Sequence, residues 1–366
     1  MSAEPEIRLL NGGAEAFPRM IEAIDRAREL VHLEIYTFDT EGWGAKFIAA
    51  LTNAARRGVK VKVIVDGWGS FTTARILKES LRAAGTQVTV YNPLTSFFIG
   101  KLWRNHRKIL LVDEEVAFLG GINIHDDYAN AEGRLGWADL AVELRGSSVS
   151  YLAHRLRNEP YSAKPGPVKV FLSGLRGGRR LRRRYVRAIG SARTELLIAH
   201  AYFLPDRHFI RSITAAARRG VKVRLLLAGK SDVALAQAAT MRLYRKFLAA
   251  GVEIHEWTAS TLHAKTAVVD GRLALLGSFN LDPLSLVNLE TLVEVDDPAI
   301  ATGIAHWVRD HIDNSRRVTP ESCARTGFQR FFVDWVSLFF ASVIESAAHF
   351  IGGSPKPRRQ LPSGKR

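Results

Sequence analysis

The sequence predicts an α/β fold of two similar lobes, each with a mixed β-sheet flanked by helices. Helical and strand-like periodicities alternate along most of the chain, which is typical of sheets covered by helices. The segment Ala-Ala-Arg-Arg-Gly-Val-Lys-Val occurs at 54–61 and again at 216–223. A longer motif around His106 also recurs around His263. These repeats indicate that the two halves share one architecture.

The predicted elements follow the same order in both halves. In the first half, apolar spacing predicts helices near 14–29, 43–57 and 72–84 and strands near 31–38, 59–66 and 87–91. In the second half, it predicts helices near 179–192, 206–219 and 233–250 and strands near 194–201, 221–228 and 252–256. Buried strands that alternate with helices favour a parallel or mixed sheet in each lobe.

Prolines and charge changes suggest four regions. A Pro- and Gly-rich stretch at 160–167 breaks regular structure, which places the first lobe at 1–160 and the second at 168–318. Residues 321–351 are highly apolar but interrupted by acidic residues, so we expect an amphipathic helix, either docked on the protein or lying in a membrane interface. Residues 352–366 are predicted to form a disordered basic tail.

Composition limits the environment and the partners. The 366 residues, 47% of them hydrophobic, can form two cores, and a single cysteine, Cys323, excludes an intrachain disulfide framework. The N-terminus lacks a basic start and an apolar core, so we expect a cytoplasmic protein. The net charge of +16 favours an anionic polymer or an anionic lipid surface, although a generally solvated basic surface would have the same composition.

The repeated motif carries the chemistry. Each copy has the form His-x-Lys-x-x-x-x-Asp, followed after six residues by a small pair, one spacer and Asn. One such string is weak evidence for a catalytic site, whereas two copies with identical spacing are strong evidence for one. The first copy comprises His106, Lys108, Asp113, Gly121 and Asn123, and the second comprises His263, Lys265, Asp270, Ser278 and Asn280.

This pattern resembles the phospholipase D superfamily, and the resemblance covers roughly residues 5–318. It implies phosphodiester exchange at an active site on the interface between two lobes related by a pseudo-twofold axis. It also implies that His106 attacks phosphorus and that His263 is the general acid and base, although these two roles could be reversed. Lys108, Lys265, Asn123 and Asn280 are expected to hold the phosphoryl oxygens, with Gly121 and Ser278 also in the substrate-binding set.

Two carboxylates are candidates for orienting the histidines, since a nucleophilic imidazole needs its other nitrogen occupied. Glu290 lies in an Asn-x-Glu element that resembles the family's, and Asp139 falls on the corresponding strand of the first half. We assign Asp139 to His106 and Glu290 to His263; either acid could instead be an ordinary strand residue. Asp113 and Asp270 complete the catalytic motifs, and their positions after strands predict that they fix the adjacent loops.

No metal or cofactor is expected. The sequence has no Cys-x-x-Cys or His-Glu-x-x-His element. Two lysines in one pocket would also repel a divalent cation.

The substrate is predicted from the first copy of the motif. Its Gly120-Gly121-Ile-Asn123 and the later Trp137-Ala-Asp139 resemble short, membrane-peripheral bacterial cardiolipin synthases, which transfer a phosphatidyl group to phosphatidylglycerol. The apolar loop 94–104, edged by cations, suits lipid, or it could be core packing. We therefore expect an enzyme bound peripherally to the cytoplasmic side of the inner membrane. The alternative is a phospholipase D-type phosphodiester hydrolase or a nuclease, but nucleic acid is disfavoured because no aromatic stacking platform is evident.

Overall fold

The computed structural model describes residues 6–93, 95–96, 103–130, 134–161, 166–174, 177–229 and 234–321. Most of the apolar loop 94–104 lies outside the described residues. So do the predicted basic tail 352–366 and all but the first residue of the predicted amphipathic segment 321–351.

The first lobe contains a seven-stranded mixed sheet in the order β1-β7-β6-β5-β2-β3-β4. Strands β2 to β4 are parallel, and the other pairs are antiparallel. The strands are β1 (Ile7–Asn11), β2 (Leu30–Ile35), β3 (Lys60–Asp66), β4 (Gln87–Tyr91), β5 (Ile109–Val112), β6 (Val116–Gly120) and β7 (Leu140–Arg145). The helices are α1 (Gly12–Arg26), α2 (Gly42–Arg56) and α3 (Ala74–Arg82), with a short 3-10 helix at Asp126–Tyr128.

The second lobe repeats this pairing pattern in an eight-stranded sheet with the order β15-β11-β10-β9-β12-β13-β14-β8. Its strands are β8 (Val168–Leu172), β9 (Glu195–His200), β10 (Lys222–Ala228), β11 (Glu253–Trp257), β12 (Lys265–Val269), β13 (Leu273–Gly277), β14 (Thr291–Asp296) and β15 (Arg316–Val318). The helices from the lobe junction onward are α4 (Ser147–Arg157), α5 (Gly178–Ser191), α6 (Arg207–Arg218), α7 (Ala234–Leu248) and α8 (Pro298–Asp313), with a short 3-10 helix at Leu284–Leu286. The predicted α/β fold of two similar lobes is therefore confirmed.

The two sheets share one apolar core, which explains why their strands are apolar on both faces. Leu111 and Val142 of the first sheet belong to the same buried cluster as Val268 and Val293 of the second, together with side chains from α4 and α8. The opposite face of each sheet packs against its own helices in a separate cluster. Burial on both faces accounts for near-continuous runs of Val, Leu and Ile.

Helix α8, near the end of the second lobe, contacts the first strand of the first lobe. Asp297 caps the helix by accepting the N–H groups of Ala299 and Ile300 at 2.8 and 3.1 Å. On the same helix, Trp307 donates from Nε1 to Asn11 Oδ1, at the end of β1, at 2.8 Å. Hydrogen bonding and burial together fix the second lobe against the first.

In the part of the chain that the structure describes, no helix combines the length and the apolar character needed to cross a bilayer.

Candidate active site

The motif aspartates stabilise turns, as predicted from their positions after the strands. Asp113 has a φ of 51° and follows β5, and its carboxylate accepts the backbone N–H groups of Arg28, Glu29 and Leu30 at 2.8 to 2.9 Å. Partial burial opposes its ionisation, but these three donors outweigh burial and lower the pKa of Asp113. The side chain holds a loop at the far end of the strand from His106.

Asp270 has the same role in the second lobe. Its φ is 52°, and its carboxylate accepts the backbone N–H groups of Arg193, Thr194 and Glu195. As in the first lobe, these donors outweigh partial burial and lower the pKa of the carboxyl group. The two aspartates therefore fix equivalent turns in both lobes.

The carboxylate beside His106 comes from the second lobe. Glu290 Oε2 lies 3.1 Å from His106 Nδ1, and Glu290 Oε1 lies 3.2 Å from the same atom. Our assignment of Asp139 to His106 is therefore wrong. A carboxylate beside Nδ1 holds the proton on that nitrogen, which leaves the lone pair of Nε2 available for attack.

The carboxylate beside His263 correspondingly comes from the first lobe. Asp139 Oδ2 lies 2.7 Å from His263 Nδ1, so the assignment of Glu290 to His263 is also wrong. Both acids do orient a histidine, but each orients the histidine of the other lobe. Neither is an ordinary strand residue, since both are almost fully buried.

Backbone bridges between the lobes explain this exchange. The segment before His106 runs parallel to the segment before Glu290, where His106 N–H donates to the Leu289 carbonyl at 2.9 Å. In the same way, His263 N–H donates to the Ala138 carbonyl at 2.8 Å. Each histidine is therefore aligned with the residue that precedes the opposite lobe's acid. Asp139, which lies in the same lobe as His106, follows the bridge to the second motif, and Glu290, which lies in the same lobe as His263, follows the bridge to the first.

The small residues after each motif lie behind the carboxylates. The Ser278 hydroxyl donates to Glu290 Oε2 at 2.5 Å, and the hydroxyl of Ser285 donates to Oε1 at 3.1 Å. At the equivalent position in the first lobe, a Cβ on Gly121 would lie 2.4 Å from both carboxylate oxygens of Asp139. The shorter acid thus occupies the space that a serine fills in the second lobe. The predicted contact of Gly121 and Ser278 with substrate stays a prediction.

Two buried lysines supply positive charge next to the histidines. Lys108 donates from Nζ to the His106 carbonyl at 2.8 Å, and Lys265 Nζ lies 3.1 Å from His263 Nε2. Burial, and then the charge on Lys265, lowers the pKa of Lys108 to about 7. Because the charge on Lys265 lowers the pKa of Lys108, the two motif lysines share one electrostatic environment.

Burial also adjusts the other ionisable groups. It is the main cause of the lowered pKa of His106, and Lys108 lowers this pKa further, so the imidazole is neutral at neutral pH. Burial raises the pKa of Asp139 to about 7, although the charge on Lys265 opposes that rise. An oriented, neutral imidazole beside cationic groups is suited to attack an anionic phosphodiester.

The two asparagines have different surroundings. Asn123 donates from Nδ2 to the Tyr128 hydroxyl at 2.9 Å and accepts the Thr37 N–H at 3.2 Å. Asn280 is buried, and its Oδ1 has no hydrogen-bond partner within the described ranges. The predicted contacts of both amides with phosphoryl oxygens stay predictions.

A family model described as "Cardiolipin synthase, PLD-like domain" matches residues 20–133 and 185–312, which include both motifs. The chain belongs to the phospholipase D superfamily. It is 33% identical to cardiolipin synthase B of Escherichia coli (strain K12) over 316 residues, covering 80% of this chain and 76% of that protein. It is 29% identical to a probable cardiolipin synthase of Bacillus subtilis (strain 168), covering 89% of this chain and 70% of the relative.

The fold also resembles a solved structure. Phosphatidylserine synthase of Haemophilus influenzae Rd KW20 superposes with a TM-score of 0.71 and covers 94% of each chain. The two sequences are 14% identical, so this likeness supports the fold alone.

Sequence reasoning missed the aromatic residues around the histidines of this phospholipase D superfamily member. The Tyr128 hydroxyl lies 3.2 Å from His263 Nδ1, and the rings of Trp137 and His263 are 5.6 Å apart. Tyr36 packs edge-on against His106 with ring centroids 5.0 Å apart. One signal was available: Tyr128 has the same spacing from Asn123 that Ser285 has from Asn280.

A metal centre would need several converging ligands. Across the described ranges, no three His, Cys, Asp or Glu side chains come together as such a site requires.

Proposed function

We propose that this protein is a phosphatidyltransferase that forms cardiolipin, using His106 as nucleophile and phosphatidylglycerol as acceptor. The observation that carries the proposal is the pair of histidines, each oriented by a buried carboxylate of the opposite lobe and each next to a lysine. The similarity to proteins named cardiolipin synthase supports a phospholipid substrate.

In the first step, Nε2 of His106 attacks the phosphorus of the donor phospholipid. A P–N bond forms, the P–O bond to the donor's head-group alcohol breaks, and His263 gives its proton to the leaving alkoxide. Lys108 and Lys265 neutralise the charge on the phosphoryl oxygens. Glu290 stabilises the positive charge that develops on the His106 ring.

In the second step, His263 takes the proton from a glycerol hydroxyl of phosphatidylglycerol. The resulting alkoxide attacks phosphorus, the P–N bond breaks, and His106 returns to its neutral form. Asp139, at 2.7 Å from Nδ1, keeps the ring of His263 in place through both proton transfers. Transfer exceeds hydrolysis only where water is kept from the phosphohistidine, and the small exposed fractions of the two side chains, 12% for His106 and 6% for His263, favour this.

We further propose that the enzyme works at an anionic membrane surface, on the cytoplasmic side of the inner membrane. Its two substrates are lipids, so their acyl chains remain in a bilayer during the reaction. The net charge of +16 would concentrate the protein at phosphatidylglycerol-rich surfaces.

The test is incubation of the purified protein with vesicles of labelled phosphatidylglycerol, followed by separation of the lipids and of released glycerol. We expect cardiolipin and glycerol in equal amounts, and no change on addition of EDTA. His106→Ala, verified as folded by its thermal transition, is the control. Phosphatidic acid without cardiolipin would assign hydrolysis instead, and no lipid product with cleavage of single-stranded DNA would assign a nuclease.

A further inference from the structure

Most of the large apolar side chains that are exposed among the described residues belong to short segments close in sequence to residues of the two half-sites. Trp68 is 55% exposed, Phe71 61%, Leu135 62% and Leu284 55%, while Ile76 at 45% follows on α3. Single exposed apolar residues are common on protein surfaces. Their position distinguishes these residues. We call Trp68, Phe71, Leu135 and Leu284 the apolar rim.

The turn that carries Trp68 is anchored beside the first motif. Asp66, at the end of β3, accepts the N–H groups of Trp68 and Gly69 at 2.8 and 3.1 Å. The other oxygen of the same carboxylate accepts the N–H of Asn105, next to His106, at 2.8 Å. One buried side chain therefore holds both the turn and the segment before the motif.

Close packing separates this turn from His106 by a single residue, Tyr36. A Cβ on Gly69 would lie 2.4 Å from the Tyr36 carbonyl oxygen, and Tyr36 packs edge-on against the His106 ring. Trp68, Gly69 and Phe71 also line a cavity of about 370 Å³. The two exposed aromatic rings are thus carried by a turn whose backbone is hydrogen-bonded and closely packed.

The other two members of the rim lie beside the remaining parts of the site. Leu284 precedes Ser285, whose hydroxyl donates to Glu290, the partner of His106. Leu135 lies two residues before Trp137, whose ring lies 5.6 Å from that of His263. The rim thus draws on both lobes.

Cations accompany the rim. The Arg104 guanidinium lies 5.5 Å from the centre of the Trp68 ring. Arg134 is exposed beside Leu135, and Arg75 and Lys78 are exposed on α3 next to the turn. Arg75 lies 4.0 Å from Glu79, an exposed and therefore weak pair. Aromatic rings next to cations are the combination that binds an anionic membrane interface.

We propose that the apolar rim inserts into the surface of an anionic phospholipid bilayer and holds the active site against it. This inference rests on the proposed function, because it identifies the surface that receives a lipid substrate. A bilayer fits the rim better than a protein groove does, since the apolar side chains come from three separate segments around the site. A substrate lipid could then present its phosphate to the histidines while its acyl chains stay in the bilayer.

The test compares the parent with W68S/F71S and L135S/L284S, and uses W68F/F71L as a matched control that keeps apolar area. Vesicles of phosphatidylglycerol and phosphatidylcholine are sedimented with each protein, and turnover of a dibutyryl phosphatidylglycerol in solution is measured separately. Loss of two inserted aromatic rings should weaken vesicle binding about ten-fold or more. Turnover of the soluble lipid should stay close to that of the parent, and W68F/F71L should bind like the parent.

Equal vesicle binding by all variants would show that the apolar rim does not insert into the bilayer. The proposed function would still stand if cardiolipin is made. Weaker binding by the serine variants, with no phosphatidyl transfer by the parent, would support the rim and reject the proposed function. If the parent sediments as a dimer in solution and W68S/F71S as a monomer, the surface joins two copies of the chain and the proposal is wrong.

Discussion

Nδ1 of His106 lies 3.1 Å from Oε2 of Glu290, although the two residues belong to different lobes. The reciprocal pair, His263 and Asp139, also crosses the interface. Each half of the site is therefore incomplete without the other lobe. Because each acid contacts a different histidine, substituting one acid at a time tests the two contributions separately.

The exchange of carboxylates predicts which variant affects which step. A donor with a p-nitrophenol leaving group needs no general acid, so His263→Ala should still release a stoichiometric burst of nitrophenol, whereas His106→Ala should not. Glu290→Gln should slow that burst by roughly 10²- to 10⁴-fold, since it orients the nucleophile. Asp139→Asn should leave the rate and size of the burst unchanged and should slow the turnover that follows it. Rapid-quench kinetics measure both phases.

A slow burst in Asp139→Asn with a normal burst in Glu290→Gln would contradict the assigned roles. The acid-labile phosphate should be recovered on a peptide containing His106. Recovery on a peptide containing His263 would reverse the roles of the two histidines.

The fit between Gly121 and Asp139 predicts an intolerant position. Gly121→Ser would place a Cβ only 2.4 Å from both Asp139 carboxylate oxygens, so the carboxylate must shift from its position beside His263. We expect kcat to fall about 100-fold, as displacement of a catalytic group by about 1 Å can produce. Because a serine accompanies the longer acid in the second lobe, adding Asp139→Glu should recover part of the loss. Steady-state kinetics with unchanged circular dichroism provide the check.

Ser278→Ala is the matched control for this experiment, since it removes one hydrogen bond to Glu290 without adding atoms. Its kcat should fall less than that of Gly121→Ser. Normal activity of Gly121→Ser would mean that the carboxylate can shift without consequence.

The lowered pKa of Lys108 predicts an alkaline loss of activity. Its ammonium is charged below a pKa of about 7 and neutral above it, so the pocket loses positive charge as pH rises. For a soluble phosphodiester, kcat/KM should decline as pH rises through about 7, because kcat/KM reports the free enzyme. Lys108→Arg keeps its charge and should lose this decline even if its maximum rate is lower. An identical alkaline limb in both proteins would assign the titration to another group.

The turn aspartates predict a loss of stability without a loss of chemistry. Asp113→Asn removes the ionic acceptor of three backbone N–H groups, which should cost about 1 kcal/mol after allowance for solvent exposure. The pKa of Asp113 is lowered from its ordinary value of 3.8, so the stabilisation is present above that value and disappears as pH falls below it. The parent and Asp113→Asn should therefore differ less in free energy of unfolding at pH 3 than at pH 7, as measured by urea unfolding.

Asp270→Asn should behave in the same way, because its carboxylate holds the equivalent turn. The kcat of both variants should stay near that of the parent. A large fall in kcat with unchanged stability would place these carboxylates in the chemistry.

The sequence by itself determined the duplicated lobes, the mixed sheets and the residues that carry charge and nucleophilicity. Repeats and apolar periodicity are properties of the chain order, so they predict strands, helices and the role of Asp113 and Asp270 in their turns. The predicted elements did not include α4 and α8, which pack in the apolar core shared by the two sheets, nor the edge strands β1, β8 and β15.

Only the tertiary structure decided which carboxylate serves which histidine. Spacing along the chain places Asp139 with the first motif and Glu290 with the second, and nothing in that spacing records the strand bridges between the lobes. Those bridges align Asn105 with Leu289 and Leu262 with Ala138, so packing of one lobe on the other brings each acid to the opposite histidine. The burial that shifts the pKa values of Lys108 and Asp139 likewise exists only once both lobes have closed over the site.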